Sequence, residues 1–158
     1  MIKVKSTVKS SVSEVIMTEL VLPSHTNSLK SIFGGVIMSW IDIAGAISAQ
    51  RHSKSSVVTA SIDALNFEAP VYEGWVVNLK AKVNFVGKTS MEVGVRVDAE
   101  NPRTGQIFKT AKAYLTFVAI DEKGKPRQVP ELDLETKEDQ RRFSEGKIRK
   151  ERRLMHKS

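Results

Sequence analysis

Asn27, Gly34, Gly35 and Asp42 are the residues of this chain whose types and spacing could do chemistry. A glycine pair opens an apolar run of helical character, Gly34-Gly35-Val36-Ile37-Met38-Ser39-Trp40-Ile41-Asp42, and one carboxylate sits two turns inside it. The first N–H groups of a helix have no intrahelical partners. Those of Gly34, Gly35 and Val36 can therefore hold negative charge that develops on a carbonyl oxygen. Asp42 can activate a water as general base, or attack directly as a nucleophile. Asn27 carries an amide able to hold that water or the carbonyl. The chemistry these groups describe is hydrolysis of an activated acyl group. At roughly 100° per residue, Gly35, Ser39, Asp42, Ala46 and Ala49 share one stripe of the helix. Small neighbours thus leave room beside the carboxylate. The alternative for the same residues is structural, with Asp42 bonding a backbone group or a tail arginine and the glycines serving close packing.

These groups need a helix from about Phe33 or Gly35 to about His52, with Arg51 and His52 at its negative end. Ser13 to Leu22 reads as a strand before it, and Val57 to Phe67 as a loosely alternating strand after it. From Trp75 to Val86 the alternation is clear. Val77, Leu79, Ala81, Val83 and Phe85 are expected to face one way, and Asn78, Lys80, Lys82 and Asn84 the other. Gly87-Lys88 is a tight turn, and Met91, Val93, Val95 and Val97 line one face of the next strand. A loop at Asn101–Gly105 leads to a long strand, Ile107 to Ile120. Leu132 to Met155 reads as an exposed, charged helix. Strands grouped beside one long helix mean an α+β fold. The helix is rich in small residues, so an antiparallel sheet of about five strands can wrap tightly around it, an arrangement known as the hotdog. Residues 1–132 are expected to form this domain and residues 133–158 a basic helical tail.

Composition narrows the possibilities further. The 158 residues carry a net charge of +7 and no cysteine, which excludes disulfides, thiolate metal sites and a cysteine nucleophile. His25, His52 and His156 are scattered without metal spacing, and no Gly-x-Ser-x-Gly elbow occurs. His25 is near enough to Asn27 in sequence to be a second acid–base candidate. Ile32 to Ala49 is long enough to raise the question of a membrane span, but Ser39, Asp42 and Ser48 mark it as a helix buried in protein. The first ten residues lack the apolar core of a secretory signal. The basic tail suggests an anionic ligand, and no zinc-finger or RNA-binding motif supports nucleic acid.

The ordered set of short motifs resembles the acyl-CoA thioesterases of the hotdog superfamily. It is nearest the broad-range bacterial and the cytosolic brain-type acyl-CoA hydrolases. The resemblance is carried by Asn27, Phe33-Gly34-Gly35, Ser39-Trp40-Ile41-Asp42 and Val57-Val58-Thr59-Ala60-Ser61-Ile62-Asp63. It continues through Gly87-Lys88-Thr89-Ser90-Met91-Glu92-Val93, Phe117-Val118-Ala119-Ile120-Asp121, and Phe143, Gly146 and Arg149 in the tail. It implies that Asp42 is the catalytic carboxylate, that Gly35 belongs to the oxyanion-binding helix start, and that Asn27 serves the active site of the neighbouring subunit. It also implies that Ala60, Ser61 and Ile62, together with Lys88, Thr89, Ser90 and Met91, contact coenzyme A, and that Arg149 approaches its phosphates. Coenzyme A is then part of substrate and product, with no separate cofactor and no metal. The expected assembly is a trimer of hotdog dimers, and the expected location cytoplasmic. Lys30 departs from the glycine that many members carry there, and a lysine resists the left-handed turn a glycine permits. A non-catalytic acyl-CoA sensor is the alternative function. A dehydratase would need a histidine on the helix, and none falls where that chemistry requires it.

Overall fold

The computed structural model describes residues 6–156. The first half of the segment read for a signal and the last two tail residues lie outside them. Seven strands and two helices follow in the order β1 (Thr7–Lys9), β2 (Val15–Leu20), α1 (Gly34–Ser53), β3 (Ser56–Phe67), β4 (Val76–Val86), β5 (Ser90–Glu100), β6 (Ile107–Ile120), β7 (Glu131–Asp133) and α2 (Lys137–Met155). Five strands form an antiparallel sheet in the order β2-β4-β5-β6-β3, and β1 pairs with β7 in a small parallel ribbon. The expected α+β hotdog is present.

Helix α1 fills the inner face of the sheet. Ile37, Ile41, Ala44 and Ala49 are fully buried against Val77, Leu79, Val93, Val97, Leu115 and Phe117. Burying each large aliphatic side chain contributes about 1.5–3 kcal/mol. The small residues set how closely sheet and helix approach. A methyl group on Gly45 would stand 3.0 Å from the Phe117 ring. No helix among the described residues is long and apolar enough to cross a membrane.

Helix α2 lies across the outer face, and here two sequence expectations fail. The tail does not begin as helix at Leu132. Residues Glu131–Asp133 pair with Thr7–Lys9, and Thr136 caps the helix by accepting from the Asp139 N–H. Nor does the tail merely face solvent, since Asp139 and Gly146 are buried. The second failure is Phe85. A β-bulge between Val83 and Phe85 inserts Asn84, and an extra residue reverses which face the following side chains meet. Phe85 therefore points outward and packs on Phe143 of α2, ring centroids 4.9 Å apart. Asn84 is buried beside Glu92, to which its amide donates at 3.3 Å.

Candidate active site

Asp42 sits in the third turn of α1, half-buried, and faces the edge strand β3. The Thr59 hydroxyl donates to Asp42 Oδ1 at 2.7 Å. That leaves Oδ2 to accept from something else. Thr59 owes its direction to a second bulge. In the β3–β6 register Thr59 lies opposite Phe117, but Ser61 lies opposite Thr116. Ala60 is the extra residue, so Thr59 faces α1 while Ser61 and Asp63 face α2. A further irregularity between Asp63 and Asn66 restores the first phase, and Phe67 again meets α1 at Gly34. Sequence reasoning quoted Thr59 without giving it a role. The run of Val, Thr and Ser that forms the bulge has no period by which to find it.

At the helix start the donors are fewer than sequence suggests. Val36 N–H returns to the Phe33 carbonyl at 3.0 Å, which leaves the N–H groups of Gly34 and Gly35 without hydrogen bonds among the described residues. Space is open around Gly35, where an added methyl would touch nothing, and a shallow cavity of about 340 Å³ adjoins Gly34, Ile37 and Phe67. Asp42 does not line it. A larger groove of about 720 Å³ lies on the outer face between α2 and the sheet, away from Asp42.

Asn27 is locked into its own loop. One side-chain atom receives Leu29 N–H at 2.9 Å, Ser31 N–H at 3.3 Å and the Ser31 hydroxyl at 3.2 Å. Backbone amides only donate, so that atom is the oxygen, and the NH2 points away free to donate. Within one protomer Asn27 and Asp42 share no hydrogen bond. Lys30 adopts the left-handed conformation, φ 59°, that its side chain was expected to resist. The loop thus keeps the turn a glycine would make, at a conformational cost of about 1–2 kcal/mol. His25 is a loop residue: its Nδ1 accepts from Leu22 N–H at 3.0 Å, and its ring meets Trp40 edge-on.

The segments thought to meet coenzyme A converge. Thr59, Phe117 and Met91 stand in one row across β3, β6 and β5, so the two outer positions are about 10 Å apart at normal strand spacing. Ala60 is exposed, and Ser61, Ile62, Thr89 and Ser90 are half-buried. Met91 is fully buried and paired with strands on both sides, so it does not itself face a ligand. Lys88 is exposed on the turn. Arg149 is engaged elsewhere: its guanidinium makes two bonds to the buried Glu92 carboxylate, at 3.0 and 2.7 Å, and lies 3.6 Å over the Tyr114 ring. No group of residues with metal-binding composition occurs among the described residues.

The arrangement matches known proteins closely. The profile of the Thioesterase superfamily covers residues 29–106. An uncharacterized acyl-CoA thioester hydrolase of Bacillus subtilis (strain 168) is 43% identical over 127 residues, 80% of this chain and 74% of that protein. This chain belongs to the hotdog acyl-CoA thioesterase family. The cytosolic acyl coenzyme A thioester hydrolase of Mus musculus is 38% identical over 88% of this chain, which spans 37% of that longer protein. A solved hexameric acyl-CoA thioesterase in its apo form superposes with TM-score 0.91 at 41% identity, covering 95% of this chain and 96% of that one. The acyl-CoA hydrolase of Staphylococcus aureus, solved with butyryl coenzyme A, coenzyme A and coenzyme A disulfide, gives TM-score 0.87 at 34% identity over 94% and 91%. Variants of that enzyme with one aspartate, one asparagine or one threonine changed to alanine have also been solved. Those three residues have the same spacing along their chain as Asp42, Asn27 and Thr59 have here.

Proposed function

We propose that this chain hydrolyses acyl-CoA thioesters to a carboxylic acid and coenzyme A. The observation that carries the reading is the Thr59–Asp42 hydrogen bond, which holds a carboxylate on the edge of the fold, two turns along α1 from two unpaired N–H groups at the helix start. A water oxygen attacks the thioester carbonyl carbon, and Asp42 Oδ2 takes the proton. The carbonyl oxygen, now negative, is held by Gly34 and Gly35 N–H. The C–S bond then breaks, and the sulfur leaves as the thiol with the proton that Asp42 had taken. Attack by Asp42 itself, through an anhydride that water opens, uses the same groups.

Asn27 donates its free NH2 to the water or the carbonyl of a neighbouring protomer's site. Two features support a partner. Asn27 meets no Asp42 within its own chain. β3 is a long edge strand bearing the half-exposed Val58, and such an edge invites pairing. The apo hexamer among the solved relatives supports a homo-oligomer built from such dimers. Residues 60–62 and 88–90 hold the coenzyme A moiety, and the cytosolic name of the mouse relative supports a cytosolic setting.

The test is thiol release from acyl-CoAs of several chain lengths by the chain and its Asp42→Ala variant. A loss in kcat of at least about 100-fold is expected, the lower range for removing a general base. Wild-type turnover in Asp42→Ala would overturn the mechanism. Tight acyl-CoA binding by the unmodified chain without thiol release would favour the sensor reading instead.

A further inference from the structure

Among the cations of the second half of α2, two are already satisfied by carboxylates. Arg149 is bound to Glu92, and Arg153 donates to Asp63 at 3.0 Å. Lys150 is different. It is half-buried, its ammonium lies 5.7 Å from the centre of the Phe85 ring, and no carboxylate pairs with it among the described residues. The ammonium is pressed against Gly87: any side chain at that position would run into Lys150 Nζ and come within 2.9 Å of the Ser90 hydroxyl. Glycine at position 87 is therefore what lets this cation reach the Gly87–Ser90 turn.

The turn itself presents donors. Three of its carbonyls are taken: Ser90 accepts from Gly87 N–H at 2.8 Å, Thr89 from Ala119 N–H at 2.9 Å, and Lys88 from Val129 N–H at 2.9 Å. No hydrogen bond among the described residues uses the N–H of Lys88 or Thr89. An unpaired ammonium, a hydroxyl and two free backbone N–H groups around one glycine make a cradle for an anion.

We infer that Lys150, rather than Arg149, is the α2 cation that grips a phosphate of the substrate's nucleotide portion. Arg149 is the anchor that seats α2, through Glu92 and Tyr114, so that Lys150 reaches the turn. The inference rests on the thioesterase reading and names the phosphate contact within it.

The experiment is calorimetric titration of coenzyme A into the full chain and its Lys150→Met and Lys150→Arg variants, at low and high salt. Methionine keeps the helix and can cover Phe85 but removes the charge. Lys150→Met should bind coenzyme A about tenfold or more weakly at low salt, the scale of a lost charge-assisted hydrogen bond. The gap should narrow as salt rises, and Lys150→Arg should restore most of the affinity. Hydrolysis of an acyl-pantetheine thioester, which lacks the nucleotide, should be equal in all three. Unchanged coenzyme A affinity in Lys150→Met, or an equal loss with the pantetheine substrate, overturns the inference. Failure of the thioesterase reading shows separately, as absence of thiol release by the unmodified chain.

Discussion

Helix α1 buries Ile37, Ile41, Ala44 and Ala49 and is set among aliphatic side chains, whereas α2 buries Asp139 and Gly146 and is set by charges. Asp139 is the hub of the second arrangement. It accepts from the Ser10 hydroxyl at 2.6 Å, from Lys82 Nζ at 2.8 Å, and from the backbone N–H groups of Glu135 and Thr136. Burial pushes its pKa up, but Lys82, Ser10 and the Glu135 N–H outweigh that and hold it well below the usual carboxylate range. At the other end of α2 the Glu92–Arg149 pair does the same job with a carboxylate 2% exposed. Removing one partner of such a pair is costly because the other stays buried and unmatched. The inner helix instead depends on fit, and its carboxylate is the one assigned to the proposed chemistry. The two helices thus divide the work: α1 carries the proposed chemistry, and α2 reaches round to the proposed ligand turn.

The largest effect that would break this division is Asp139→Ala. It should cost about 3 kcal/mol and speed amide exchange in α2 well before α1, read by hydrogen exchange. Equal exchange in both helices would mean that α2 does not depend on the charge hub. Next comes His52, at the end of α1. It is fully buried, its Nε2 meets the Pro130 carbonyl at 2.9 Å, and its Nδ1 has no partner among the described residues. Burial lowers its pKa below 6.5, the Pro130 carbonyl opposes this, and Lys54 adds to it. The unfolded chain therefore takes up this proton first. Stability contributed by neutral His52 is complete above about pH 6.5 and declines as pH falls below it, with a slope approaching but not exceeding about 1.4 kcal/mol per pH unit. Denaturant midpoints from pH 7.5 to 5.5 should show the decline in the wild type and a smaller one in His52→Gln. The smallest effect sharpens the account of α1. Lys54 closes that helix in the left-handed conformation, φ 56°. Lys54→Gly should raise stability by about 0.5–1 kcal/mol, measured by thermal or denaturant unfolding, with thiol release unchanged.

Much of the inner half was legible in the chain. The span of α1 follows from its long apolar run between a glycine pair and a cationic end, and the inward row Met91, Val93, Val95, Val97 from strand alternation, because that row is buried in an apolar core. The outer half was not. Glu92 and Asn84 look like solvent-facing residues until a second polar helix covers them, and a face made of paired charges has no hydropathy signature. Asp42 could be found from its small neighbours, but Thr59 could not, because its direction comes from an inserted residue. Asn27 was visible by type. That its oxygen is spent on its own loop, leaving only the NH2, depends on hydrogen bonds that no sequence pattern encodes.

The paired irregularities in β3 have a consequence for how this strand tolerates change. Between them the chain runs out of phase, so one strand gives Thr59 and Phe67 to the inner helix and Asp63 to the outer one. Point replacements leave that phasing alone. Ironing out the bulge with Ala60 kept would not: Thr59 and Asp63, four residues apart, would then share a side of the sheet, and one helix would lose its contact. What lets one strand serve two helices is its break in regularity, more than the residues that make it up.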